Sequence, residues 1–196
     1  MKKLNLYIDL DGVIFQYERA AYQGNNPIFN QVGRHYFRHV KTDEIMVQVI
    51  RILLFAKDDR RIEHVYFLSS ISPNHDMYLE MYRDKLEALN ELFTPVFDLN
   101  SFIACHQNKA ETIAFIQGKE RLQLNDVLID DYNPNLEEWE KMGGTAIKYI
   151  NGINSEESWN GYKINPPENF PFEQKVKDIL DFLYLFQSNF NPGQKE

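Results

Sequence analysis

Asp9-Leu10-Asp11-Gly12-Val13 directly follows the apolar run 4–8. In an extended chain, residues two apart point the same way, so both carboxylates can face one site. Two acids placed like this suit a hard cation, which takes oxygen ligands. They equally suit a nucleophile with an acid/base partner. Gly12 lets the chain leave the strand sharply. An ordinary strand exit with two solvated acids has the same composition, so the pair gains meaning only from its companions.

Three such companions follow. Asp130 and Asp131 end the apolar run 127–129. Adjacent carboxylates behind a buried strand repel each other unless a cation or a lysine compensates. Alternatively, Asp131 or Asn133 caps the next helix. Ser69 and Ser70 end the run 65–68, where a hydroxyl and nearby amides can hold phosphate oxygens. Lys109 begins a predicted helix and can supply the fixed charge a phosphoryl group needs, although a single lysine is by default a solvated one.

The elements behind these clusters alternate between strand and helix. Residues 4–8, 65–68, 102–104, 127–129 and 145–149 read as strands. Helical spacing recurs over 45–56, capped by Thr42 or Asp43, and over 76–93. Further helices follow at 112–116, from Asn133-Pro134 to Gly143-Gly144, and at 172–186. Residues 14–41 read as irregular, broken at Gly24, Pro27 and Gly33, and 150–171 as a long loop. This pattern predicts an α/β domain with a mainly parallel sheet. Right-handed crossovers then bring the strand C-termini, and the polar clusters on them, to one edge.

In that order and placement the chain resembles the haloacid dehalogenase superfamily of phosphohydrolases. Asp9-Leu10-Asp11-Gly12-Val13 is similar to its first motif, Phe67-Leu68-Ser69 to its second, Lys109 to its third and Ile129-Asp130-Asp131 to its fourth. The resemblance implies a three-layer α/β/α sandwich over residues 1–186 with a small cap insertion at 14–41; the terminal position of 187–196 predicts a flexible tail. It implies Asp9 as a nucleophile forming an aspartyl phosphate, with Asp11 as general acid and base. Magnesium would be held by Asp9, the Asp11 carbonyl and the Asp130/Asp131 pair, while Ser69 and Lys109 steady the phosphoryl oxygens. Leu68-Ser69-Ser70, 128–131 and 81–85 look most like the 5'(3')-deoxyribonucleotidase family, which makes Lys85 a further phosphate ligand, beside Ser70 at its strand end, and a nucleoside monophosphate the expected substrate. The insertion is shorter than the helical cap of that family.

The composition bounds these readings. A formal net charge of -8 disfavours a stable nucleic-acid partner, which needs clustered Lys and Arg. No run approaches the roughly 20 apolar residues of a membrane span. The apolar run near the N-terminus is too short for a signal peptide. A single cysteine, Cys105, permits no intramolecular disulfide and fits a reducing, cytoplasmic setting. Phe15, Tyr17, Tyr22, Phe29, Tyr36 and Phe37 can stack on a base or pack the insertion onto the core. Arg34, His35, Arg38 and His39 can meet an anion or face solvent, and Trp159 and Tyr162 can reach the site from the late loop. Two alternatives stay open: a phosphatase of another small metabolite or of a macromolecular end, and a non-catalytic cation- or phosphate-binding module.

Overall fold

Strand β1, Leu4–Asp9, alternates its side chains between two apolar environments. Leu4, Leu6 and Ile8 enter one core cluster, and Tyr7 enters a second on the opposite face. The neighbouring strands repeat the division, with Val127 and Ile129 on the first side and Leu128 on the second. Period-two alternation between two buried faces requires helices on both, so the domain has three layers. The computed structural model describes residues 2–23, 26–56, 61–71, 76–106, 108–154 and 158–188.

After β1 come helix α1 at Glu44–Phe55, β2 at Ile62–Ser70, α2 at Tyr78–Phe93 and β3 at Phe102–Cys105. Then follow α3 at Lys109–Ile116, β4 at Asp126–Asp130, α4 at Asn133–Lys141, β5 at Thr145–Tyr149, β6 at Tyr162–Ile164 and α5 at Phe172–Ser188. Helices α1, α2 and α5 bury Met46, Met81, Ile179 and their neighbours in the first cluster; α3 and α4 bury Ile113 and Trp139 in the second. The order across the sheet is β3-β2-β1-β4-β5-β6, and every neighbouring pair is parallel. The chain first steps outward from β1 to β3, then returns to β4 on the other side of β1. This reversal between β1 and β4 opens a crevice at their C-terminal ends, where open α/β sheets bind ligands.

The expected architecture is therefore present, with β6 added inside the segment read as a loop. β6 has three residues, and only Ile164 is buried, so its periodicity is too short to see. Asp43, not Thr42, caps α1: its Oδ1 accepts from Met46 N at 3.0 Å. The chain between β1 and α1 is pinched at its neck by antiparallel pairing of Phe15 with Thr42 and Gln16 with Lys41. Gly24, one of its expected breakers, lies outside the described residues.

Helix α5 passes the expected end at Phe186. Gln187 is buried, and its Nε2 donates to Lys2 O at 3.1 Å. The remainder of the expected tail, 189–196, lies outside the described residues. No helix among the described residues is long and apolar enough to cross a membrane.

Candidate active site

The β1–β4 crevice gathers the polar residues that follow the apolar strands. Asp9 ends β1 and Asp130 ends β4, and Lys109, the first residue of α3, places its ammonium between them. Lys109 Nζ is 2.5 Å from Asp9 Oδ1 and 2.7 Å from Asp130 Oδ2. It reaches this point because Asn108 caps α3, its side chain accepting from Glu111 N at 2.6 Å, and so fixes where the helix starts. On the other side of Asp9, Lys85 from α2 donates to the Asp11 carboxylate and, at 2.7 Å, to Ser69 Oγ.

Lys85 is buried under the ring of Phe37, whose centroid lies 4.2 Å from its Nζ. Asp131 is buried too, against Gly12. A Cβ at residue 12 would overlap its carboxylate, and Gly12 has φ +96°, a conformation L side chains rarely adopt.

One oxygen from each of Asp9, Asp130 and Asp131 lies within 4.8 Å of the others. The Asp11 carboxylate stands apart from this cluster, on Lys85. Both Asp130 oxygens have partners: Oδ1 accepts from Tyr132 N at 2.9 Å, and Oδ2 accepts from Asn135 Nδ2 as well as Lys109. Asp131 differs. Its Oδ2 accepts from Asn154 Nδ2 at 2.9 Å, but Oδ1 is buried without a partner, as is Asp11 Oδ1. A buried carboxylate oxygen left unpaired is costly unless something positive lies against it.

The charges agree. Asp9, Asp11, Asp130 and Asp131 carry four negative charges when ionised, and Lys85 and Lys109 return only two. Burial, and next the charge of Asp130, push the Asp9 carboxyl well above the ordinary carboxylate range, with Lys109 opposing. Burial and Asp130 likewise push Asp131 up to about 7, against the hydrogen bond from Asn154. Desolvation works against the Lys109 ammonium, but Asp130 and Asp9 outweigh it and hold its pKa above the ordinary lysine value. The residues present therefore fit a divalent cation, with Asp9, Asp130 and Asp131 as its donors.

All eight residues singled out in the sequence meet in this region, although not equally. Ser69 is completely buried and bonded to Lys85, whereas Ser70 lines the cleft. Neither Asp131 nor Asn133 caps α4: Tyr132 holds that position with no side-chain bond, and Asn133 accepts from Lys148 Nζ at 2.5 Å. The cleft above encloses about 350 Å³, with Tyr17, Arg19 and Tyr22 on its walls.

The other aromatics of the segment divide. Phe15 and Phe37 are core residues, and Phe29 and Tyr36 pack against that core. Arg34 and Arg38, unlike Arg19, do not turn to the cleft: Arg34 pairs with Glu80 at 2.6 Å and Arg38 with Asp84 at 2.6 Å, both acids of α2. His39 is exposed.

Trp159 and Tyr162 do not line the cleft either. Trp159 is buried in the second core cluster, and the Tyr162 ring packs on Phe186 at 4.7 Å. The late loop instead contributes two residues not anticipated, Asn151, which donates to Gly12 O, and Asn154. Their position just after β5, beside the crevice, was the available signal.

No family model matches the chain, and no curated protein matches it. Among solved structures, a HAD family enzyme of Bacteroides thetaiotaomicron, in complex with magnesium and inorganic phosphate, is 13% identical over 81% of this chain and 98% of its own, with a TM-score of 0.45. The N-terminal part of a Bacteroides fragilis protein, containing a phosphatase domain complexed with Mg, is 17% identical over 95% of this chain and 40% of its own, at a TM-score of 0.46. Similarity at that level transfers no chemistry between chains.

Proposed function

We propose that this chain is a magnesium-dependent phosphomonoester hydrolase that works through an aspartyl phosphate on Asp9. The observation that carries the reading is the gathering of Asp9, Asp130 and Asp131 oxygens within 4.8 Å of one another, with unpaired buried oxygens on Asp11 and Asp131. A carboxylate attacking a phosphate dianion meets like charge, which at about 4 Å costs on the order of 4 kcal/mol at an effective dielectric of 20. Magnesium, held by Asp9, Asp130 and Asp131, would supply the charge that offsets this and keeps Asp9 ionised.

In this reading an Asp9 carboxylate oxygen attacks phosphorus in line with the ester oxygen, and the ester P–O bond breaks. Asp11, as general acid, delivers a proton to the leaving oxygen. Asp11 then takes a proton from water, the water oxygen attacks phosphorus, and Asp9 is released with inorganic phosphate. Lys109 holds the Asp9 carboxylate in place. Lys85 orients Asp11 and is itself held by Ser69. Ser70, which reaches the cleft, contacts a phosphoryl oxygen.

For the substrate we infer a nucleoside monophosphate, as a 5'(3')-deoxyribonucleotidase would take. Tyr17 and Tyr22, with ring centroids 4.2 Å apart, form an aromatic wall of the cleft on which a base can lean. The segment 14–41 would then act as a small cap, closed by its neck pairing and held by Arg34 and Arg38 on α2.

Purified protein with magnesium, offered p-nitrophenyl phosphate and then a panel of nucleoside monophosphates and sugar phosphates, tests both levels. Phosphate release that falls by at least about 10³-fold in Asp9→Asn, with an unchanged circular dichroism spectrum, is the expected outcome. No hydrolysis of any substrate with or without metal would instead favour a binding module, and preference for sugar phosphates would remove the nucleotide reading.

A further inference from the structure

Asn154 lies in the loop after β5 and touches both Asp131, just after β4, and Tyr17, in the segment after β1. Its Nδ2 is 2.9 Å from Asp131 Oδ2 and 3.2 Å from the Tyr17 hydroxyl oxygen. An amide nitrogen carries two hydrogens, so it can donate one to each. The orientation is set by charge. Turning the amide would place its carbonyl oxygen against a buried carboxylate, two acceptors facing each other. Asn151, three residues earlier, ties the same loop to the Gly12 carbonyl, beside the Asp131 carboxylate.

Two consequences follow. Asn154, with Asn151 beside it, engages the Asp131 carboxylate, and the Asn154 bond to Oδ2 leaves Oδ1 as its buried acceptor without a partner. Accepting from Asn154 also leaves the Tyr17 hydroxyl hydrogen to donate elsewhere, and Tyr17 lines the cleft. We propose that Asn154 is a positioning residue that orients Asp131 for the cation and at the same time aims the Tyr17 hydroxyl at the substrate. This inference rests on the cation-dependent phosphatase reading and adds a link between the cation site and the wall of the cleft. Tyr17 is thereby a substrate contact through its hydroxyl as well as its ring.

The test separates the two arms of the bridge. Binding of Mn²⁺, as a spectroscopic stand-in for magnesium, is measured on the metal-free protein by electron paramagnetic resonance, and KM and kcat are measured with p-nitrophenyl phosphate. Asn154→Ala is expected to weaken Mn²⁺ binding at least about tenfold, the usual scale for losing a group that orients a metal ligand, and also to raise KM. Tyr17→Phe is expected to leave Mn²⁺ affinity within about twofold and to raise KM alone. The melting temperature of each metal-free variant reports whether it is folded.

Unchanged Mn²⁺ affinity in folded Asn154→Ala would overturn the proposal, as would an equal loss of Mn²⁺ affinity in Tyr17→Phe. Failure of the unaltered protein to bind Mn²⁺ would sink the cation-dependent reading itself, a result distinct from either.

Discussion

Gly12 has no room for a side chain, because Asp131 occupies the space where a Cβ would sit and the backbone is at φ +96°. Gly12→Ala therefore combines a strained backbone, about 1–3 kcal/mol, with displacement of a proposed metal donor. We expect a lower melting temperature and at least tenfold weaker cation affinity, measured by scanning calorimetry and titration; a variant matching the parent in both would refute the close approach. Cys105 is the opposite case, a residue whose chemistry is suppressed. Burial pushes its thiol up to about 11, with Lys109 only partly opposing. Because the raised pKa favours the neutral form in the folded state, the thiol stays protonated through neutral pH, and folding loses stability only as pH rises from the unfolded value towards 11. Alkylation of the native protein at pH 8 should run at least about tenfold slower than that of the denatured chain. Equal rates would show that Cys105 is accessible.

Among elements, the segment between β1 and α1 is held to α2 by ion pairs of unequal weight. Arg34 is largely exposed, and its pair with Glu80 is a solvent-screened surface pair that contributes little. Arg38 meets Asp84, an acid only 1% exposed, and also reaches Glu87 at 2.7 Å. Removing Arg38 leaves Asp84, buried next to Lys85 in sequence, with His35 Nδ1 at 3.2 Å in its place. Arg38→Ala should cost more stability by denaturant unfolding than Arg34→Ala, because it strands a buried acid. Equal costs would mean that the burial of Asp84 does not matter. Because Lys85 aligns Asp11 and Ser69 in the proposed mechanism, Arg38→Ala should lower kcat as well. Arg34→Ala should not.

Across the whole molecule, the site sits where the strand order reverses, so it joins β1, β2, β4 and helices from both layers. A floor of clustered, buried carboxylates with unpaired oxygens should make stability depend on the cation. At a cation concentration 100 times Kd, the linkage is worth about 2.7 kcal/mol. For a chain of this size that corresponds to a rise in melting temperature of roughly 5–10 °C. Scanning calorimetry with magnesium, and with excess chelator, checks this. A melting temperature indifferent to magnesium would mean that the acids are compensated by protons instead.

By itself, the sequence determined which residues could do chemistry and that they would meet. Apolar runs with acids or serines behind them, alternating with helical spacing, commit the chain to a parallel sheet, and such a sheet brings strand C-termini to one edge. The grouping of Asp9, Asp11, Ser69, Lys109 and Asp130/Asp131 was legible for that reason, whereas Lys85, inside α2, was expected only from the family resemblance. Tertiary structure decided the division of labour among them. That Ser70 rather than Ser69 reaches the cleft, that Asp131 rather than Asp130 keeps an unpaired oxygen, and that Arg34 and Arg38 bind α2 all depend on distances between segments far apart in the chain. Asn154 shows the same limit. Its role comes from lying within hydrogen-bond reach of both Asp131 and Tyr17 (23 and 137 positions away), and no local pattern encodes that.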